Sequence, residues 1–330
     1  LIVVTAPTGR IGRQLVERLL ADGAPGGTPD GGPEAAPDGA RDGTPVRAPV
    51  HAPLRTPLRT PVRVIVRDPA RLPAAVRERV EVVEGSHREP DVVAKAFTGA
   101  DAVFWLVPPD PRAPGVEAAY VGFSRAACEA FTACGVARVV GVSALGRGTA
   151  VAGNAGPVTA TLALDDAIAA TGVRYRALAL PSFLDNVLGQ AERIRDQGEF
   201  GLPISGDVSA PGCTTGDIAA AAAALLTDAT WDGVDEVPVL GPEDLSAHDM
   251  ARIMSEVLDR PVRFRRVPDD AYTGGLIEAG MSGAMAGSML AMWRAKGAGL
   301  DNGVVRTERN GSPTSFRRWC EDVLAPAVRH

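Results

Sequence analysis

The 330 residues predict an α/β protein: a doubly wound parallel sheet with helices on both faces, plus a smaller α/β substrate lobe. Three observations carry this. Short β-branched runs alternate with helical stretches from the first residue onward. Runs such as Val103–Val107 and Val139–Val142 are apolar almost throughout, as in strands buried on both sides. A glycine-bearing turn joins the first of these strands to the first helix.

In chain order, Leu1–Thr5 reads as a strand, and Gly12–Asp22 as a helix with Leu15, Val16, Leu19 and Leu20 on one face. Strands follow at Val62–Arg67, Val80–Glu84 and Ala102–Val107, separated by helices at Leu72–Arg79 and Pro90–Phe97. Glu117–Cys134 is a long helix and Ala137–Ser143 a fifth strand. Asp165–Thr171 lies on a helix that leads into a sixth strand, Tyr175–Leu180. Strands joined by helices argue for βαβ units, so residues 1–185 are expected to form one cofactor-binding domain. Residues 186–330 are expected to form the smaller lobe, sharing elements with the first domain and supplying the substrate pocket. Its elements are a helix at Gly216–Thr227, a strand at Val237–Leu240, a helix at Ser246–Leu258 and a strand at Val262–Val267. Ser246 reads as the N-cap of that helix, with Asp249 completing an imperfect capping box. Ala24–Pro61 breaks the pattern. Its Gly, Pro, Ala and Asp cannot bury a core, so it reads as a surface insertion, either inert or a lid or docking arm.

The formal charge of −6 and the absence of a basic run disfavour nucleic acid as a partner. The longest clean apolar run, Ala219–Leu226, is far below the ~20 residues of a membrane span. The first residues open directly on a strand, which predicts no signal peptide and a cytoplasmic location. Cys128, Cys134, Cys213 and Cys320 are scattered, as are the four His, so neither a metal site nor a disulfide framework is expected. Basicity comes almost wholly from Arg; Lys95 and Lys296 are the only lysines.

The turn Thr5-Ala6-Pro7-Thr8-Gly9-Arg10-Ile11-Gly12 carries the chemistry. Backbone N–H groups at the start of a helix are a ready site for a pyrophosphate. Gly9 offers bare backbone for that approach, and Gly12 lets the helix pack closely. Strand before and helix after supply the context that a glycine pattern alone lacks. A dinucleotide is the expected cofactor, with Thr5, Thr8, Gly9, Arg10, Ile11 and Gly12 around its phosphates.

With these residues in view, the chain resembles the NmrA-like, atypical branch of the short-chain dehydrogenase/reductase superfamily, which has a Rossmann-type fold. The turn is similar to that family's TGATGxxG, with Ala6 in place of the first Gly; an Ala there is expected to keep φ below zero. Val62–Leu72, Gly99–Pro109, Gly135–Gly146, Pro181–Asn186, Gly216–Ala219, Gly241–Ser246 and Pro313–Trp319 are similar to family segments; only Ala24–Pro61 falls outside. The resemblance implies an NAD(P)-binding protein. Either it is an oxidoreductase or it is a non-catalytic sensor of the cofactor.

The second strand ends on Arg67, which cannot accept from a ribose 2′-OH but can clamp a 2′-phosphate. NADP(H) is therefore expected, while Asp68 keeps NAD(H) open. The superfamily's Tyr-x-x-x-Lys pair is absent: Tyr120, Tyr175 and Tyr272 have no Lys four residues on. Ser143 stands where the superfamily has its catalytic Ser; it either polarises a substrate carbonyl or caps its loop. Thr161 and Asp165 replace a His-x-x-x-Glu that relatives often carry. Trp105, Leu106, Val107 and Pro108 are candidate walls of the nicotinamide pocket, with Trp105 also fitting core packing; Phe183 and Asn186 are candidates to close it. Met281, Met285, Met289 and Met292 recur at helical spacing, more in the manner of a core stripe than of a ligand surface. The expected activity is NADPH-dependent hydride transfer to a quinone or related conjugated carbonyl, in secondary metabolism. A small-molecule substrate is the expected partner, and a homodimer is compatible with the sequence.

Overall fold

The computed structural model describes residues 1–21 and 60–329; nearly all of the Ala24–Pro61 insertion lies outside them. The strands are β1 (Ile2–Val4), β2 (Val62–Val66), β3 (Glu81–Glu84), β4 (Ala102–Trp105), β5 (Arg138–Ala144), β6 (Arg174–Leu180), β7 (Ser182–Phe183), β8 (Glu199–Leu202), β9 (Ala210–Cys213), β10 (Val234–Pro238), β11 (Asp244–Leu245) and β12 (Arg263–Arg266). The helices are α1 (Arg10–Ala21), α2 (Ala74–Arg77), α3 (Pro90–Phe97), α4 (Phe123–Ala133), α5 (Pro157–Ala169), α6 (Ala191–Gln197), α7 (Thr215–Thr227), α8 (Ala247–Leu258), α9 (Asp269–Glu278) and α10 (Gly283–Gly297). Phe316–Arg329 forms a last helical run broken by a π-helical turn at Cys320–Leu324.

Seven strands make one parallel sheet, in the order β10-β6-β5-β4-β1-β2-β3. The period-2 alternation of a strand splits its apolar residues between two cores. Ile2 and Val4 of β1, with Ala102 and Phe104 of β4, pack against α1 and α7. Val3 and Val103, with Trp105, pack on the opposite face against α3, α4 and α5. This places Trp105 at 1% exposure, its indole donating to Ser124 Oγ at 3.1 Å and its ring edge-on to Phe131. The expectation that Trp105 walls the nicotinamide pocket is corrected: it is a core residue, because its strand position faces the helices.

The boundary at residue 186 is crossed by the sheet itself. β10 pairs with β6, and α7 packs along α1, so both belong to the large sheet layer although they follow Asn186. The smaller lobe consists of the β11-β9-β7 and β12-β8 sheets, α8 and the C-terminal helical run, around a core that includes Phe200, Met254, Phe316 and Trp319. Ser246 caps α8 with both halves of the capping box formed: Ser246 Oγ accepts from Asp249 N, and Asp249 accepts from Ser246 N. Among the described residues, no helix is long and apolar enough to cross a membrane.

Candidate functional site

The Thr5–Gly12 turn sits at the carboxyl end of β1, in the centre of the sheet, where open α/β sheets bind ligands. Gly9 N–H donates to Ala6 O at 3.0 Å, and Arg13 N–H to Gly9 O at 3.0 Å, which winds the turn into α1. A Cβ added at Gly12 would lie 2.2 Å from the Ala6 carbonyl oxygen, so Gly12 permits the helix to close on the turn itself. At Gly9 the corresponding approach is 3.3 Å, and the residue is exposed. Ala6 has φ +50°, in the left-handed region. The expectation of a negative φ is thus wrong: the turn demands the conformation that a glycine adopts freely, and Ala6 adopts it at a cost of about 1 kcal/mol.

Thr5 is fully buried, and its hydroxyl is spent inside the sheet. It donates to Phe104 O at 3.0 Å and accepts from Leu106 N at 2.9 Å. Its side chain therefore ties β1 to β4 and does not face the turn's exposed surface. Thr8 and Ile11 stay with the turn, Thr8 half-buried and Ile11 in the core beneath it. Leu106 and Val107 are half-buried at the end of β4, and Pro108 is exposed beyond them. Arg67 is exposed at the end of β2 and makes no ion pair among the described residues. Asp68 is occupied: its carboxylate accepts from Ala70 N at 2.9 Å and caps the following 3₁₀ turn. Bare backbone at the start of a 12-residue helix, together with an unpaired arginine one strand away, fits a dinucleotide with a 2′-phosphate.

Ser143, at the end of β5, donates to the buried carboxylate of Asp165. Tyr175 Oη donates to the other oxygen of that carboxylate at 2.6 Å, and Gly141 leaves the room its ring needs. Arg147 lies 3.5 Å away. Burial raises the Asp165 pKa to about 6 against the opposing effect of these hydrogen bonds and of Arg147. Burial likewise raises that of Tyr175, with the Asp165 charge adding to it. Ser143 therefore stands near the carboxyl end of β5 with its proton already committed to Asp165. A second buried group, His87, meets Leu106 O at 3.1 Å and packs edge-on to Trp105 and Phe123. Burial lowers its pKa to about 4, so it is neutral at pH 7.

A cavity of about 370 Å³ opens between the sheet edge and the smaller lobe. Phe183 and Asn186 both line it. Their segment is pinned by Asp185, whose carboxylate accepts from Thr215 N at 2.9 Å and Thr215 Oγ1 at 2.8 Å. Arg10 of the turn donates to the Asp185 carbonyl, and the chain neighbours of Asp185, Leu184 and Asn186, line the cavity. Met289, Met292 and Trp293 of α10 form one wall. Tyr272 also lines it; its hydroxyl accepts from Trp293 Nε1 at 2.9 Å, leaving its own proton without a protein acceptor among the described residues. The methionine stripe thus divides: Met281 and Met285 pack in a core with Ala113 and Ala119, while Met289 and Met292 face the cavity. Lys296 and Asp301 pair with each other in the cavity wall. Sequence reasoning missed Asp185, Tyr272, Trp293, Lys296 and Asp301. The only advance signal was the rarity of lysine, which marked Lys296 as one of two.

A model of the NAD(P)H-binding family matches residues 54–229 of the chain, beginning downstream of the turn. The (4-alkanoyl-5-oxo-2,5-dihydrofuran-3-yl)methyl phosphate reductase of Streptomyces griseus is 31% identical over 244 residues, covering 73% of this chain and 82% of that one. The NAD(P)H azoreductase of Xenophilus azovorans is 27% identical over 213 residues, 64% of this chain and 70% of that one. In fold, the chain is similar to Citrobacter sp. triphenylmethane reductase complexed with NADP(H), at TM-score 0.72 and 18% identity, covering 99% and 100% of the two chains. It is similarly close to an NADPH-dependent quinone oxidoreductase of Escherichia coli complexed with NADPH, at TM-score 0.71 and 18% identity, covering 100% and 99%. With the turn, the sheet order and these matches together, the chain belongs to the NAD(P)H-binding family.

Proposed function

We propose that this protein is an NADPH-dependent reductase that passes a hydride to a quinone or related conjugated carbonyl held in the apolar cavity. The observation that carries the reading is the link between turn and cavity: Arg10 reaches the Asp185 carbonyl, and the neighbouring Phe183 and Asn186 line the cavity. The bound cofactor supplies the hydride. The backbone of Thr8 to Gly12 holds its pyrophosphate, and Arg67 holds the 2′-phosphate. Phe183, Met289 and Trp293 offer apolar walls to the acceptor. Ser143 and Tyr175 are tied to Asp165, and no Tyr-x-x-x-Lys relay exists. A conjugated acceptor suits such a site, because its reduced ring carries the developing charge and water can protonate it. The names of the curated relatives, a furan-type reductase and an azoreductase, support a reductase acting on conjugated substrates. Assignment to the NmrA-like branch and a place in secondary metabolism belong to the same reading.

The commitment of Ser143 also favours a second reading, a cofactor sensor without turnover. Stopped-flow loss of nicotinamide absorbance against a panel of quinones and conjugated ketones decides between them. Oxidation by at least one acceptor is expected; a silent panel with NADPH bound overturns the reductase. In the same assay Arg67→Glu tests cofactor choice. Losing a charge-assisted contact should weaken NADPH about 10- to 150-fold with little change for NADH. Equal binding of both cofactors by the unmodified protein would remove Arg67 from the site.

A further inference from the structure

We propose that the Lys296–Asp301 pair is a polar subsite that selects acceptors carrying a neutral hydrogen-bond donor beside the carbonyl, that is, hydroxy- or amino-substituted conjugated carbonyls. This rests on the reading of the cavity as the acceptor pocket. Lys296 is 8% exposed and Asp301 is 2% exposed; the two are ion-paired, and both line the cavity. Lys296 Nζ gives one of its three protons to Asp301 Oδ2. Asp301 Oδ1 is buried with no partner among the described residues. A buried carboxylate oxygen left bare costs about 1–3 kcal/mol or more, and a ligand donor that meets it as the carboxyl turns towards the cavity regains part of that amount.

The pair also lies close to the sheet edge. Leu300, between the two, packs on Gly146, where an added Cβ would fall 2.5 Å from Leu300 Cδ1. Gly146 lies three residues beyond Ser143, past the end of β5. The segment carrying the pair therefore packs against the loop that follows β5. The rest of the cavity is mainly aliphatic, aromatic and methionine side chains, which suits a flat conjugated ring.

Charge decides the ligand class. The pair is neutral overall, so a carboxylate or phosphate gains from Lys296 what it loses to Asp301. A carbonyl without a neighbouring donor satisfies Lys296 and leaves Asp301 Oδ1 bare. A donor and an acceptor side by side satisfy both: the acceptor accepts a hydrogen bond from Lys296 Nζ, and the donor donates one to Asp301 Oδ1.

The test compares two acceptors of nearly equal size, 2-amino-1,4-naphthoquinone and 2-methyl-1,4-naphthoquinone, titrated into the full chain with NADP+ present and followed by tryptophan fluorescence. The unmodified protein should bind the amino compound at least tenfold more tightly. The double variant Lys296→Met/Asp301→Leu replaces the buried pair with apolar groups of similar volume, a change that folds tend to tolerate. It should bind the methyl compound within about twofold of the original and lose the preference. Should that variant not fold, Asp301→Asn places a donor where the ligand's donor must go and should also lose it. No preference in the unmodified protein, or a preference that survives both variants, overturns the subsite. Preference in binding with no NADPH oxidation by any member of the acceptor panel sinks the reductase reading and leaves the subsite standing.

Discussion

Asp165 and Asp301 are both buried carboxylates near the ends of the sheet, and they differ in what faces them. At the cofactor edge, Asp165 has a donor on each oxygen, Ser143 on one and Tyr175 on the other, and Arg147 nearby. In the cavity, Asp301 has Lys296 on one oxygen and nothing on the other. A network with its hydrogen bonds filled locks strands and helices together; one left half-filled beside a cavity is shaped for something that comes and goes. The same residue type is thus a rivet in one region and a docking point in the other.

Losing Asp165 should cost the fold the most. Asp165→Ala orphans two buried hydroxyls, at about 1–3 kcal/mol each, so the expected loss is roughly 4 kcal/mol. Replacing the Lys296–Asp301 pair by Met and Leu should instead leave stability unchanged or raise it by up to about 4 kcal/mol, since both charges and the bare oxygen leave together. Urea unfolding at pH 5 measures both. Similar losses at the two sites would erase the distinction between rivet and docking point.

Titration sharpens it further. Asp165 has its pKa raised from 3.8 to about 6, so the stability it contributes is fully present below 3.8 and is lost as pH rises through about 6. His87 runs the other way. With its pKa lowered from 6.5 to about 4, it contributes stability present above 6.5 and lost as pH falls through about 4. Each span is worth roughly 3 kcal/mol, and the two offset each other between pH 6.5 and 4. Asp165→Asn removes one limb and leaves His87, as well as the raised Asp301, unchanged. Relative to the unmodified protein, it should lose roughly 3 kcal/mol as pH drops from 7 to 4. A constant difference across that range would mean that Asp165 does not titrate in the folded state.

How much of this could be read in advance depended on whether a feature lay in one stretch of chain. The phosphate turn is eight consecutive residues, and its strand–turn–helix setting is legible by period alone. The two-sided burial of β4 and β5 is equally local. The cavity is not: Phe183, Tyr272, Trp293 and Asp301 come from segments that only the folded chain brings together. Trp105 misled because it sits among apolar neighbours in a strand, and the period of two does not say which face meets helices and which meets ligand. β10 and α7 lie after residue 186 yet complete the first sheet layer, since spatial layers need not follow sequence halves.

The smallest effect tests where the cofactor edge keeps its own cost. The cavity carries an unfilled oxygen; the turn carries Ala6 at φ +50°. An L-residue in that region pushes its Cβ towards the backbone, at about 1 kcal/mol, and glycine avoids this. Glycine also gains freedom in the unfolded chain, which takes back part of the benefit. Ala6→Gly should therefore stabilise the protein by no more than about 1 kcal/mol, and it should leave the Lys296–Asp301 preference for amino over methyl acceptors untouched. Cofactor affinity is the informative readout, because the Ala6 carbonyl accepts from Gly9 N–H inside the turn proposed to hold the pyrophosphate. If the strain holds those N–H groups in place, Ala6→Gly gains stability and loses NADPH affinity severalfold. If both rise together, Ala6 is merely tolerated, and the turn owes its shape to Gly9 and Gly12.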